Sequence, residues 1–353
     1  MIKLAIIGGG FYGCYLAHKL KDKLKSKVKV DLFEKNKSLI LEAGKNNQNK
    51  LHHGYHYPRS NQTIQQTILG SKIFTNEFKK FIYFPKKNLY LIHKKSFVNA
   101  RKFYKIFKKK KLGIVNYNTK KIKFLKNYNE YDGAFNTDEG VINLEKLNTY
   151  IIKKINKNCN IFFRKKIIKI DSIKGSLTDQ DNIKYKNYDF IINCTYTNPN
   201  MGLKNKFKIK YELAGMVLFR NPFKEKFGIT IMDGEFITFY PRDNKFSCLS
   251  SVKYTPIKKF KRLEDLYKFK TKMNKKNISN RIKLIENDVK KYFNSDFKIK
   301  NSKLIMAPKT KLYEDNKDQR PSLIRNYKKT FSILAGKIDV APLIYNHLIK
   351  KIK

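Results

Sequence analysis

LAIIGGGFYGCYLAHKL, residues 4–20, sets the reading of the whole chain. Ile2 to Ile7 form a short continuous apolar run, and from Tyr12 to Leu24 apolar residues recur at helical spacing with Lys and Asp between them. The three glycines between these runs, Gly8-x-Gly10-x-x-Gly13, match the dinucleotide fingerprint. Gly8 permits a tight turn, Gly10 lets a pyrophosphate approach the backbone, and Gly13 allows the helix to pack closely on the strand. The start of that helix then faces the phosphates with its positive dipole end. KVKVDLFEKN, residues 27–36, reads as a second strand, so the opening is strand, helix, strand and implies a parallel sheet with helices on its faces. Glu34 follows Gly13 by 21 residues, where a carboxylate accepts hydrogen bonds from ribose hydroxyls and repels a 2′-phosphate.

Working outward, 353 residues exceed the size of a usual single core, so two domains are expected. Lys and Arg number 78 against 28 acidic residues, a formal charge of +50 that draws in nucleic acid, anionic membrane or acidic ligands. The lysines run from end to end and accompany abundant Asn, Ile, Tyr and Phe, all residues with AT-rich codons, which favours compositional bias over a dedicated patch. The tightest run, KIFKKKKLG at 105–113, reads either as a phosphate or lipid-headgroup patch or as a solvated face. Cys14, Cys159, Cys194 and Cys248 are scattered, with no CxxC pair, which argues against zinc ribbons and disulfide frameworks. No run of about 18 apolar residues appears, and the expectation is a cytoplasmic protein in a reducing compartment.

Past Glu34 comes a polar loop rich in Asn and Gly, KSLILEAGKNNQNKLHHGYHYPRS, before helical periodicity resumes from Thr63 to Phe81. Residues 139–155 read as a helix capped by Asn143, NIFFRKKIIKIDSIKG and YDFIINCTY as strands, and 206–256 as a run of antiparallel strands. A Lys-rich helical stretch fills 258–294, and the chain closes with TFSILAGKIDV and the helix APLIYNHLIKKI.

NAD and FAD share such an opening, and at this point the whole chain resembles the D-amino-acid oxidase superfamily of FAD-dependent oxidoreductases, which includes glycine oxidase and L-2-hydroxyglutarate oxidase. NQNKLHHGYHYPRS, residues 47–60, is similar to the loop that passes beside the flavin in the 2-hydroxyglutarate oxidases, with Asn47, His52, Gly54, Tyr57 and Pro58 at matching positions. RKKIIKI resembles the strand whose backbone meets the adenine. YDFIINCTYTNP resembles the apolar strand ending in Ala-Thr-Gly, with Cys194, Thr195 and Tyr196 at those three positions and the glycine missing. LAGKIDVAP looks like the C-terminal flavin turn. The resemblance implies an α/β fold, a Rossmann-like FAD-binding domain (1–82, 134–205 and 322–353) with a second, mainly antiparallel-sheet substrate domain (83–133 and 206–321). It further implies FAD held by Gly8, Gly10, Phe11, Tyr12, Gly13, Glu34, Lys35, Asn47, Leu51, His52, Ile167, Thr195, Gly336, Lys337 and Ile338.

The chemistry implied is removal of hydride from a small amino acid or 2-hydroxy acid, with the flavin carrying the electrons to an acceptor such as oxygen or a quinone. The helix beginning near Asp339 and Pro342, helped by Lys337, would then face the negative charge left on the reduced ring. A hydroxyl substrate needs a base as hydride leaves, and His52 is the candidate, an imidazole being able to take up a proton near neutrality. Three of the six histidines lie at 52–56, but on a loop without Cys or carboxylate companions, so no metal is expected. Tyr240 with Arg242, and Arg320, are the candidate clamps for a carboxylate. The alternative function is a flavoprotein that binds tRNA or another nucleic acid through its charge, and a peripheral membrane contact is the further partner considered.

Overall fold

The computed structural model describes residues 1–221, 223–243, 245–313 and 320–352. The opening reads as expected: β1 (Ile2–Ile7), α1 (Phe11–Leu24) and β2 (Val28–Phe33), with β1 and β2 parallel from Ile2↔Val28 to Ile7↔Phe33. Among the described residues these strands belong to a six-stranded sheet. Its order is Leu323–Tyr327, Thr330–Leu334, Phe190–Asn193, β1, β2, Asn160–Phe162, all parallel except the first edge strand.

Alternation along β1 builds a three-layer unit. Leu4 and Ile6 face a core shared with α1 and the helices Leu144–Asn158 and Ala341–Ile352. Ala5 and Ile7 face the opposite way, toward Ile167, Ile170 and Leu177 of a small antiparallel sheet made of Ile167–Asp171, Ser176–Asp179 and Lys184–Tyr185. NIFFRKKIIKIDSIKG is therefore two strands in two sheets rather than one, because the turn at Arg164 (φ +57°) redirects the chain.

The second layer system is a large sheet that includes Lys87–His93, Tyr131–Thr137 and six strands between Ile209 and Leu312. It is mainly antiparallel, with one exception to the expectation: Phe227–Met232 runs parallel to Lys87–His93. The expected boundary between 133 and 134 falls inside the strand Tyr131–Thr137, so the large sheet extends past it. Alternation again assigns faces. Leu89 and Leu91 pack with Ile285 and Val289 of the helix Lys275–Val289, whereas Tyr90 and Ile92 pack with Phe103 and Phe107 of the helix Ala100–Lys109. That second helix carries much of the basic run, its apolar stripe buried and its lysines outward. The Lys-rich stretch is not one helix: Pro256–Phe260 is a strand, and Asn274 caps a fresh start with a reciprocal capping box to Asn277.

Between the two systems lies a three-stranded antiparallel ribbon in which Gly140–Ile142 pairs with Lys50–Leu51 on one side and Ile82–Tyr83 on the other. α2 (Asn61–Phe78), capped by Ser60, runs from this ribbon against the C-terminal turn Ile338–Val340. Gly70 sets the approach, since a Cβ there would lie 2.7 Å from the Asp339 carbonyl oxygen and 2.9 Å from Val340 Cα, both backbone atoms unable to give way cheaply. Gly70→Val should therefore lower stability by about 1–3 kcal/mol, the usual cost of overpacking. Denaturant unfolding of the flavin-free variant checks this.

Candidate active site

The glycine loop is built by close approach. Gly8 has φ +99°, donates its N–H to the Phe33 carbonyl (2.8 Å), and a Cβ there would meet the backbone of Cys194 and Thr195. A Cβ on Gly13 would lie 1.9 Å from the Gly8 carbonyl oxygen. Gly10 differs: no atom lies within 4 Å of where its Cβ would stand. It is the N-cap of α1 and lends no side-chain cap, and the first turn holds no acid to offset the positive end of the helix. Tertiary packing thus explains Gly8 and Gly13, and the open side of Gly10 is the one that suits a phosphate.

Glu34 is buried beneath this loop. Its Oε2 accepts from Gly9 N–H at 2.7 Å, and its Oε1 accepts from the backbone and side-chain amides of Asn36 at 2.8 and 2.7 Å. A carboxylate has about four acceptor positions, so one is left for a ribose hydroxyl. Lys35 is exposed and bonds Tyr267 (3.1 Å), away from the loop. Phe11 turns inward to stack on Tyr15, leaving only its backbone toward a ligand, and the Tyr12 hydroxyl donates to the Lys337 carbonyl.

Cys194 and Thr195 lie under Gly8 as the match requires, and Thr195 is held by Asn193 through both its N–H and its hydroxyl. Tyr196, at the position of the missing glycine, adopts φ +59°, the left-handed conformation glycine would supply. Its hydroxyl lies 3.7 Å from where a Gly336 Cβ would stand, and Gly336 is exposed. Ile167 sits at the start of its strand, buried, at a register shift.

The loop 43–52 is more committed to its own fold than its residue types suggest. Asn47 spends its amide on the carbonyls of Ala43 and Gly44 and its oxygen on Asn49 N–H. Leu51 is fully buried in the helix-side core. His52 comes to lie beside Glu139, its Nδ1 3.8 Å from Oε1, with the His56 and Tyr57 rings each 6.0 Å away.

Two of the proposed clamps are corrected. Tyr240 is wholly buried, its hydroxyl donating to the Gly140 carbonyl (2.9 Å) and its ring lying 4.6 Å from Lys50 Nζ, so it is a packing residue of the sheet. Arg242 donates one guanidinium N–H to the Lys45 carbonyl (2.7 Å), which anchors the loop. Arg320 contributes its backbone here: its carbonyl accepts from Lys337 Nζ and its N–H donates to the Thr63 hydroxyl, while its charge acts on Tyr196.

Lys337 is buried, 4.6 Å above the Tyr57 ring, and Ile338 opens the turn that leads into the last helix. Asp339 in that turn is fully buried, and neither carboxyl oxygen meets a partner outside its own residue. Burial pushes its carboxyl above the ordinary value, against the opposing charges of His52 and Lys337. A buried acid without a hydrogen-bond partner, in the turn that follows the exposed Gly336, fits a ligand with polar edges that completes this surface.

Sequence reasoning passed over Lys50 and Glu139. Lys50 Nζ lies 2.8 Å from Glu139 Oε2 and 2.8 Å from the Tyr90 hydroxyl, with both charges almost wholly buried. Burial pushes the Lys50 ammonium down, and Glu139 opposes that shift. Burial would push Glu139 up, but Lys50 and His52 outweigh it and hold the carboxyl well below its usual range. The signal was a Lys two positions before a His pair and an Asp-Glu pair 86 residues on, meaningless until the ribbon joins them. Among the described residues no group of three or more His, Cys, Asp or Glu is arranged to hold a metal, and no helix is long and apolar enough to cross a membrane.

Residues 3–303 match the family model described as FAD dependent oxidoreductase, and the chain belongs to that family. It is accordingly a FAD-dependent oxidoreductase, and the residues around Gly10, Glu34 and Asp339 fit that cofactor. Among its relatives is a FAD-dependent monooxygenase of Fusarium mangiferae, 26% identical over 95% of this chain and 87% of that protein. A glycerol 3-phosphate oxidase of Mycoplasma genitalium is 34% identical over 25% of this chain and 22% of its own length. The fold is shared with an L-α-glycerophosphate oxidase from Mycoplasma pneumoniae solved with FAD bound (TM-score 0.74, 16% identity, covering 100% of this chain and 95% of that one). It is shared also with a glycine oxidase from Geobacillus kaustophilus (TM-score 0.69, 12% identity, 100% and 95%).

The two glycines separate folding from binding. Gly10→Val should fold like the wild type yet bind FAD at least about 10²-fold more weakly, the loss of one or two charge-assisted phosphate contacts at about 1.5–3 kcal/mol each. Gly13→Val should fail to fold. Thermal unfolding without FAD, together with FAD titration by fluorescence quenching, checks both.

Proposed function

We propose that this protein oxidises a hydroxyl-bearing carbon in a small acidic molecule, a 2-hydroxy acid or a phosphorylated alcohol, with His52 as the base. The observation that carries this reading is the position of His52 beside a buried, ionised Glu139, in the loop that resembles the flavin-side loop of hydroxy-acid oxidases. An amine donor needs only to bind unprotonated, whereas a hydroxyl must lose its proton as its carbon loses hydride. Here His52 takes the O–H proton, and the electron pair of that bond becomes the second bond of the new carbonyl. FAD, when bound, would supply the acceptor for the hydride and its electron pair.

Lys337, whose charge acts on Asp339, and Arg320, whose charge acts on Tyr196, favour an anionic substrate. The glycerol 3-phosphate oxidase among the relatives supports the choice, since its named substrate is a hydroxyl-bearing anion.

The test is an anaerobic flavin-bleaching screen of FAD-loaded protein with lactate, 2-hydroxyglutarate, glycerol 3-phosphate, glycine and proline. A hydroxy compound should bleach fastest, and bleaching by the amino acids alone overturns the reading. With that reductant, His52→Gln should slow flavin reduction by about 10²- to 10⁴-fold while FAD stays bound, the span of general base catalysis. Equal stopped-flow rates for variant and wild type would remove His52 from the chemistry.

A further inference from the structure

The ribbon pairs Lys50 with Val141 and Leu51 with Gly140, and the same antiparallel register carried two residues further sets His52 across from Glu139 and His53 across from Asp138. Contacts follow that register: His53 N–H donates to Glu139 Oε1 at 3.0 Å, and His53 Nδ1 lies 3.1 Å from Asp138 Oδ1.

We propose that Glu139 is a positioning residue for the reaction, holding the Nδ1 edge of His52 across the ribbon and offsetting the positive charge His52 acquires with the substrate's proton. The inference rests on His52 being that base. Glu139 is suited to the task because its ionisation is secured from the far side. Lys50 Nζ (2.8 Å) and the Tyr90 hydroxyl (2.6 Å) both engage Oε2, which leaves Oε1 for His53 N–H and His52. His52 Nδ1 is buried and has no hydrogen-bond partner. At 3.8 Å the contact is too long for a hydrogen bond, so its effect is that of a fixed negative charge in a site shielded from water.

The other groups facing His52 are Asp339 and Lys337 from the C-terminal turn, the His56 and Tyr57 rings, and the His53–Asp138 pair next along the ribbon. Asp339 is driven toward its neutral form by burial, and Lys337 adds charge of the wrong sign to support an imidazolium. Asp138 is already engaged by His53 and by the Tyr55 hydroxyl (2.7 Å). Glu139 is thus the carboxylate whose charge falls on His52.

The experiment compares wild type, Glu139→Gln, His52→Gln and the double variant as FAD-loaded proteins, reduced by the compound that bleaches fastest in the screen. Glu139→Gln should keep FAD and slow reduction about 10- to 10²-fold, as when the carboxylate behind a working histidine is removed. The loss should appear in the limiting rate of reduction and leave substrate binding unchanged, as for an interaction made only in the transition state. The double variant should be no slower than His52→Gln alone, because the two residues act as one unit.

A wild-type limiting rate in Glu139→Gln, a loss confined to substrate binding, or a double variant slowed by the product of the two single effects, overturns the proposal. If Glu139→Gln does not fold, Lys50→Met/Glu139→Leu removes both buried charges at once, the exchange such pairs tolerate, and must show the same slowing. A wild-type rate in His52→Gln rejects the base reading, whereas a slow His52→Gln beside a wild-type Glu139→Gln rejects the positioning role alone.

Discussion

The buried ion pair of Lys50 with Glu139 is the contact on which the arrangement of this site depends. Both charges are almost completely removed from water, which is costly unless each is met by further polar partners. Tyr90 from the large sheet, Thr230 at 3.5 Å and the His53 amide provide them. One carboxylate therefore ties together the loop that carries His52, the connecting ribbon and the large sheet. Removing either partner alone would leave an uncompensated charge, so the loop carrying His52 is held in place by electrostatics as well as by packing.

The second constraint is spatial. The parallel sheet and the large sheet have separate cores, and three short segments beside the first are the glycine loop, the turn at 193–198 and the turn at 336–340. Backbone approach controls each of these, through Gly8 against Cys194, Gly13 against the Gly8 carbonyl, and Gly70 against Asp339. The side with no such neighbour is that of Gly10.

The sequence was most legible where structure is local. Strand, glycines, helix, strand and acid appear within the first 34 residues, and each element formed where its periodicity placed it, because a 14-residue amphipathic helix and a six-residue apolar strand are determined by neighbours a few residues away. Asn143 likewise caps its helix through a bond to Lys146 three residues on. Errors concentrate where the partner is remote. Arg242 and Tyr240 look like substrate ligands by residue type, yet each reaches a carbonyl more than 95 residues away in the chain.

By itself, then, the sequence determined the fold class, the cofactor and the loop that carries His52, all of which rest on short spacings and residue types. Only tertiary structure decided which charges meet. Lys50, Tyr90, Glu139 and Asp339 come together through the antiparallel register of a ribbon two or three residues wide and through the C-terminal turn, and a pairing register is not written in either strand alone. The conformation of Tyr196 makes the same point in the backbone: a residue type that disfavours positive φ adopts it because the surrounding contacts impose it.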